Sequence, residues 1–351
     1  MTLHLCLIGD AASIHLRRWA LAMVERGFRV SAISATAQEI DGVRVIALPP
    51  VRSHYQWFLR LPALRRVMRA LAPDIVHAHY ITSYGLWGAA CGRRPLVLTA
   101  WGSDILVTPR RNVVLRELTG WTLRRASLIT ADSRDVLSEI SGYRPRAVLH
   151  EVFWGADTER FRPHEGPREP GFHIASMRSW ESNYRIDVVV RAFAKFAAAR
   201  TASAAVLHLF GGGSQAASLR KLVSDLGIAE QVVWHGWLAP QVLADRLAAC
   251  DLSVTVPESD ATSVSLLESM ACGLPVITSD LPANRQWVTP HSGHVVSVGD
   301  VDALAAAMCT EFDDASVRKQ EGVFNRARIE ELGSTRQQMD RMAELYRGLK
   351  I

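Results

Sequence analysis

Two carboxylates with seven residues between them, Asp260 and Glu268, stand in the stretch PESDATSVSLLESMACGLPVITS from Pro257 to Ser279. The stretch predicts a loop, a short helix and a buried strand, so that Asp260 precedes the helix and Glu268 lies within its first turns. Carboxylates placed in this way can accept hydrogen bonds from sugar hydroxyls. The helix start between them offers backbone N–H groups and a positive dipole end, which suit a phosphate or pyrophosphate. Thr262, Ser263 and Ser265 bring hydroxyls to that start, and Ser265-x-x-Glu268 has capping-box spacing. An acidic loop followed by a capped helix, its carboxylates engaged only in capping, has the same local pattern. These residues alone do not separate the two.

The elements that would position them follow from periodicity. Leu266, Leu267 and Met270 form the apolar side of the helix, Gly273 and Pro275 stop it, and Val276 to Thr278 read as strand. Leu252 to Val256 is the strand that feeds the acidic loop. Upstream, Phe172 to Ser176 is a strand leading into Met177-Arg178, and Ile186, Val189, Val190, Phe193, Ala194 and Ala197 make the next helix amphipathic. Ala205 to Phe210 runs into Gly211-Gly212-Gly213, where bare backbone could lie against a nucleotide base or ribose, or simply make a tight strand–helix turn. Val232 to Trp234 leads into His235-Gly236-Trp237.

The first half repeats the alternation. Leu3 to Ile8 is a strand ending at Gly9-Asp10, followed by a helix with Leu16, Trp19, Ala20, Met23 and Val24 on one side, and by a strand from Phe28 to Ile33. This unit opens a doubly wound sheet, in which ligands sit at strand carboxyl ends. The loop lacks G-x-G-x-x-G, which argues against a dinucleotide cofactor. The strands Asp74 to His77 and Leu96 to Thr99 run into HAHYITSYG and Ala100-Trp101-Gly102-Ser103-Asp104, and Ser127 to Thr130 is the last clear strand of this half. Residues 54–71 are arginine-rich, with an apolar stripe of Leu64, Val67, Met68 and Leu71 and an aromatic lead in Trp57 and Phe58. An interfacial helix and a core-packing helix with a solvated basic face both look like this, with a slight preference for the second.

Length and composition set outer limits. The 351 residues suit two domains, and a hydrophobic content of 48% supplies ample core. Five scattered cysteines without metal spacing fit reduced thiols in a cytosolic protein, and MTLHLCLIGD lacks the features of a secretory signal. Residues 1–165 carry 22 arginines, no lysine and 14 acids, whereas the remainder carries 18 basic against 21 acidic residues. The asymmetry suggests that the first half meets something anionic. No nucleic-acid recognition motif accompanies it.

The stretch from Pro257 to Ser279 resembles the donor-sugar motif of the retaining glycosyltransferases of family 4 (group 1). Their GT-B architecture is an α/β arrangement of two doubly wound, Rossmann-like domains facing a central cleft. That motif has two glutamates with seven residues between them and a Gly-x-Pro-Val turn; here Asp260 takes the first place, with Glu258 nearby as a substitute, and Glu268 the second. FWGADTERFRP, from Phe153, resembles the family's interdomain linker with Trp154 in place of asparagine. Arg178, the three glycines, His235-Gly236 and the acidic motif follow one another in the family's order. The family's usual lysine near Arg178 is missing, with Arg185 the nearest cation, and its usual histidine after the Leu96 strand is replaced by Trp101.

The resemblance implies an N-terminal acceptor-binding domain over 1–165, onto which a C-terminal helix at about 336–351 packs back, and a donor-binding domain over 166–335, with 164–170 as the hinge. It implies transfer of a sugar, with retained configuration and without a metal, from a nucleotide-diphosphate donor to a glycan, lipid-linked or small-molecule acceptor. A UDP-sugar is favoured and a GDP-sugar remains open. Asp260 would hold the sugar, Glu268 the ribose, and Arg178 with Arg185 the departing diphosphate, with Asp104 completing the reactive set. The donor would also touch Gly9, Gly211, Gly212, Gly213, His235, Gly236, Thr262, Ser263 and Val264. The acceptor would pass Ser13, His15, His79, Trp101, Gly102 and Ser103. No cofactor, metal or nucleic acid is implied. The place is cytoplasmic, with contact at the inner face of the membrane open through 54–71. A sugar-nucleotide epimerase of the same shape and a non-catalytic nucleotide-sugar binding subunit are the alternatives.

Overall fold

The computed structural model describes residues 2–53, 55–200 and 204–350, so His54, at the start of the arginine-rich segment, lies outside the described residues. The chain divides into two units: one runs up to Trp154 and resumes at Arg336, and the other comprises Gly155–Thr335. The proline-rich stretch 164–170 belongs to the second unit, where Arg168 Nη1 donates to the Cys250 carbonyl at 3.0 Å and to Asp251 at 2.7 Å.

Seven parallel strands build the first unit: β1 (His4–Ile8), β2 (Arg29–Ser34), β3 (Arg44–Ala47), β4 (Ile75–His79), β5 (Leu96–Thr99), β6 (Leu128–Ala131) and β7 (Val148–Glu151), in the order β3-β2-β1-β4-β5-β6-β7. All residues of β1 and β4 are buried, as expected of central parallel strands covered on both faces. The order reverses between β1 and β4, where Leu5 lies opposite Ile75. Such a reversal opens a crevice beyond the strand carboxyl ends, here at Gly9 and His79. The edge strands β3 and β7 are half-exposed and short, which is why alternation did not single them out.

A C-terminal helix, Thr335–Arg347, contributes Met339, Met342, Ala343 and Tyr346 to this unit's core. The Trp19 indole donates to the Tyr346 hydroxyl at 3.0 Å, which also meets Nδ1 of the buried His77. In Leu61–Leu71 the apolar stripe faces inward, with Leu64 and Met68 fully buried and four arginines of 60–69 outward. The core-packing reading of that helix therefore holds, and its stripe is not available to a bilayer. Among the described residues no helix is long and apolar enough to cross a membrane.

The second unit has six parallel strands: β8 (Phe172–Met177), β9 (Ala205–Phe210), β10 (Val232–Gly236), β11 (Leu252–Thr255), β12 (Val276–Ser279) and β13 (Gly293–Val296), ordered β10-β9-β8-β11-β12-β13. Here the reversal falls between β8 and β11, with Ile174 opposite Leu252. These are the strands that lead into Arg178 and into the acidic loop.

Candidate active site

Because β8 and β11 are neighbours, Arg178 and the 257–268 segment meet in space although they are far apart in sequence. The Arg178 guanidinium donates through Nη2 to Asp260 Oδ2 and through Nη1 to Ser263 Oγ and, at 3.1 Å, to Ser265 Oγ. Its other flank lies against the Tyr184 ring, with Cζ 4.2 Å from the centroid. The second oxygen of Asp260 accepts from Ala261 N–H at 3.1 Å. Arg178 is 8% exposed and Asp260 22%, so the pair sits at the mouth of the site, shielded but reachable.

The helix that follows spans Val264–Ala271, and its N-cap is Ser263, whose hydroxyl accepts from Leu266 N–H at 3.3 Å. This corrects the capping-box expectation for Ser265, whose hydroxyl sits one residue inside the helix and serves Arg178 instead. Thr262 is buried, with its hydroxyl accepting from the Trp287 indole at 3.2 Å. Glu268 is buried along the same helix. The first-turn N–H groups, starting at Val264, have no carbonyl partner within the helix and, with the dipole, favour an anion beside Arg178.

Arg185 occupies the left-handed region at φ 48°. Its guanidinium is tied to Asp187 at 3.1 Å and to Glu258 at 2.7 Å, and these partners raise its pKa above the usual arginine value, Asp187 first. The two proposed substitutes, Arg185 and Glu258, thus neutralise one another.

The glycines are explained first by packing. Gly211 has φ 122°, and a Cβ there would lie 2.3 Å from the Arg178 carbonyl; a Cβ on Gly213 would lie 2.6 Å from the Trp180 carbonyl. They allow the 178–181 backbone to cross the end of β9. Only Gly212 faces elsewhere, towards the exposed indole of Trp237. His235 stacks on Phe210 with centroids 4.4 Å apart, and its Nε2 lies 2.9 Å from His208 Nδ1. Gly236 adopts φ 67° at a register shift in β10.

In the first unit, a Cβ on Gly9 would come 2.8 Å from Leu16 Cδ1, so that glycine lets the first helix approach β1. Ser13 caps this helix, accepting from His15 N–H at 3.3 Å. His15 lies against Trp101 and Trp154, with centroids 5.4 and 4.7 Å away; burial, then Arg18, lowers its pKa to about 4. The Trp101 indole donates to His79 Nδ1 at 3.4 Å, so the neutral ring must carry its proton on Nε2. That Nε2 is buried without a partner among the described residues, and burial lowers the His79 pKa to about 3. His79 is therefore held by an indole.

Asp104 requires a correction. It is fully buried, and its oxygens accept from Ile81 N–H at 2.6 Å and Trp101 N–H at 2.9 Å. Burial raises its pKa to about 6. The carboxylate joins the loops after β4 and β5 and is a positioning residue, not a group presented to an acceptor. Gly102 adopts φ 98° beside it, and the exposed Ser103 hydroxyl lies 3.1 Å from the Tyr80 hydroxyl.

One participant, Tyr184, escaped the sequence reading. Tyr184 gave no local signal, because only the fold places it against Arg178; Trp154 and Tyr346 join clusters assembled from distant segments. Among the described residues no group of three or more His, Cys, Asp or Glu side chains is arranged to hold a metal ion.

Comparison with known proteins shows the family and the fold. Residues 4–133 match the family model "Glycosyl transferase 4-like" and residues 157–322 match "Glycosyl transferases group 1". A D-inositol 3-phosphate glycosyltransferase of Mycobacterium marinum is 33% identical over 86% of this chain and 73% of its own. An N-acetyl-alpha-D-glucosaminyl L-malate synthase of Bacillus anthracis is 25% identical over 74% and 72%. Among solved structures, sucrose-phosphate synthase from Thermosynechococcus elongatus has a TM-score of 0.84 at 18% identity, covering 98% of both chains. An Anabaena protein in complex with UDP-glucose has a TM-score of 0.82 at 16% identity, covering 99% of this chain and all of its own.

Proposed function

The chain belongs to the group 1 glycosyltransferases of GT-B architecture, and on that premise we propose that it moves a sugar from a UDP-sugar to a hydroxyl acceptor with retained configuration and without a metal. The observation that carries the reading is the meeting of Arg178, Asp260, Ser263 and Ser265 at a capped helix start, where β8 and β11 diverge. A diphosphate at that start would receive helix N–H groups and the Arg178 guanidinium, which delivers planar, charge-assisted hydrogen bonds to the charge that develops on departure. Asp260 would turn from Arg178 to the sugar hydroxyls, and Glu268 would accept from the ribose. Gly212, His235, Gly236, Thr262, Ser263 and Val264 would line the nucleotide.

In the step itself the bond from the anomeric carbon to the diphosphate oxygen breaks, and the acceptor oxygen bonds that carbon on the same face. The acceptor's proton passes to the leaving diphosphate oxygen. His15, His79, Trp101, Gly102 and Ser103 form the proposed acceptor side, with both imidazoles neutral near pH 7 by virtue of their lowered pKa values. Support for a nucleotide-sugar donor comes from relatives named as GDP-mannose-dependent and from structural neighbours solved with UDP or UDP-glucose. An acceptor with a lipid or inositol phosphate part is in keeping with the names of several relatives.

The test is a thermal-shift panel of UDP, GDP and their sugar conjugates, with and without chelator, on the native chain and on Glu268→Ala. A ligand confined to the folded state raises stability with the logarithm of its excess over Kd. A shift with UDP that weakens in the variant supports the donor assignment, and a shift with GDP alone moves it to guanosine. Absence of any nucleotide shift would overturn it. Release of an epimer without acceptor would favour an epimerase, and binding without turnover a non-catalytic subunit.

A further inference from the structure

The first unit carries an open groove of about 880 Å³ that neither the donor site nor the acceptor loops use. Its floor and walls are apolar: Phe58, Leu86, Val113, Val114, Leu118 and Trp121. Some of these side chains face water outright, with Val113 73% and Val114 75% exposed and the nearby Phe58 and Leu59 50% and 61%. A helix start is an unusual place for two exposed valines. The helix Val113–Leu123 has no acid in its first turn, where acids complement the dipole, and Arg110 and Arg111 precede it. The helix lies along this groove, lining it with Val113 and Val114 at its start and with Trp121, Arg124 and Arg125 at its other end, while Arg110 is paired with Glu139 at 3.2 Å.

Arginines ring the opening. Arg65, Arg124 and Arg125 line it, with Arg125 held over the Trp121 ring at 4.2 Å and Arg65 anchored through Nε to the Ala90 carbonyl at 3.2 Å. Residues 52–125 contain 12 arginines and no lysine, against three acids. Of those acids Asp104 is buried and Asp74 accepts from His4 N–H at 2.7 Å, which leaves Glu117 on the groove. A contiguous apolar patch with a polar rim marks an interaction surface, and a strongly cationic rim selects an anionic one.

We propose that this face docks on an anionic lipid bilayer, with Phe58, Val113 and Val114 entering the acyl boundary and the arginine rim meeting the headgroups. The contact differs from the interfacial-helix pattern of 54–71, because the stripe of Leu61–Leu71 is spent on the core. Apolar insertion and headgroup attraction act together in such binding, and neither suffices at this size. The proposal does not depend on the donor assignment: vesicle binding needs no nucleotide, so the two fail separately.

The experiment is co-flotation of the full chain with vesicles of phosphatidylcholine alone and of phosphatidylcholine with phosphatidylglycerol, at low and physiological salt. Partition onto the anionic vesicles is expected, falling steeply with salt. The double variant Val113→Asp/Val114→Asp should lose at least tenfold in partition. Arg124→Ala/Arg125→Ala should lose roughly fivefold per arginine removed. Both variants lie on the surface, and an unchanged melting temperature and UDP response would show that the fold is intact. No flotation on either vesicle, equal flotation on both, or anionic binding that neither variant weakens would each overturn the proposal. Sedimentation that shows a concentration-dependent dimer abolished by the valine variant would assign the groove to a second copy and overturn it as well.

Discussion

Asp260 and Arg178 cannot both keep their pairing and serve a bound donor, and this sets up a prediction with opposite signs for two variants. In the structure the carboxylate occupies one side of the guanidinium that a diphosphate would require. Replacing Asp260 by Asn removes the competing charge while leaving Ser263 and Ser265 on Nη1. Ion pairs open to solvent are worth about 0.2–1 kcal/mol, and breaking a fully buried one costs roughly 3–5 kcal/mol. With exposures of 8% and 22% the pair lies between these limits, at about 1–2 kcal/mol, so UDP should bind roughly 5- to 25-fold more tightly to Asp260→Asn. Transfer should nevertheless fall by about a hundredfold or more, because the sugar loses a charged acceptor needed in the transition state. Arg178→Ala should instead weaken UDP by about 1.5–3 kcal/mol, the worth of a charge-assisted hydrogen bond, and reduce turnover as well. Titration calorimetry with UDP and initial rates with the sugar nucleotide separate the two. Equal weakening of UDP by both variants would refute the idea that Asp260 competes with the phosphate.

Three other outcomes follow from particular contacts. Asp104→Asn retains one acceptor for two buried amides, so stability should fall by about 1–3 kcal/mol while UDP affinity is unchanged; calorimetric unfolding with and without UDP reads both. Gly211→Ala places a methyl 2.3 Å from the Arg178 carbonyl at φ 122°, and the melting temperature should drop with the UDP response, whereas Gly227→Ala, with φ 69° but open space, should cost only about 1 kcal/mol. In the helix Ala315–Arg328, which packs against Val264–Ala271, burial and then Glu311 push the Glu321 carboxyl up to about 8, and Glu311 raises His294. Both groups bind protons more tightly folded than unfolded, so their stabilisation is full at low pH, begins to fade above the unfolded glutamate value and is lost as pH passes about 8. Melting temperatures from pH 5 to 9 should decline, and Glu321→Gln should flatten the slope.

How much of this the sequence could disclose depends on whether a property is local. Central strands such as β1 and β4 are continuous apolar runs because parallel sheets bury both faces, so they were legible; β3 and β7, at the sheet edge, lack that pressure. Arg178, Asp260 and Glu268 were legible as chemical types in order. Their pairing was not, since it depends on the β8–β11 adjacency. Asp104 misled for a physical reason: an aspartate after a strand reads as an offered carboxylate, and only the fold reveals two backbone amides closing on it. The hydroxyls at the helix start were similarly ambiguous by two residues, which decided whether Ser263 or Ser265 would serve as the cap.

The departures from the family pattern are easier to understand in pairs than singly. An aspartate at 260 is one methylene shorter than glutamate, and in this chain it closes directly on Arg178 alongside two serine hydroxyls. The cation that stands where a lysine is usual, Arg185, is drawn off by Asp187 and Glu258. A flexible lysine would carry its charge into the phosphate site as a compact point, whereas a guanidinium held in a fixed fork is poorly suited to redirection. In the proposed donor site, electrostatic support for a diphosphate would therefore fall mainly on Arg178 and the helix start at Val264. A site built with one cation instead of two would hold such a leaving group less tightly. Its pairing with Asp260 offsets the cost of leaving a guanidinium largely buried and uncompensated.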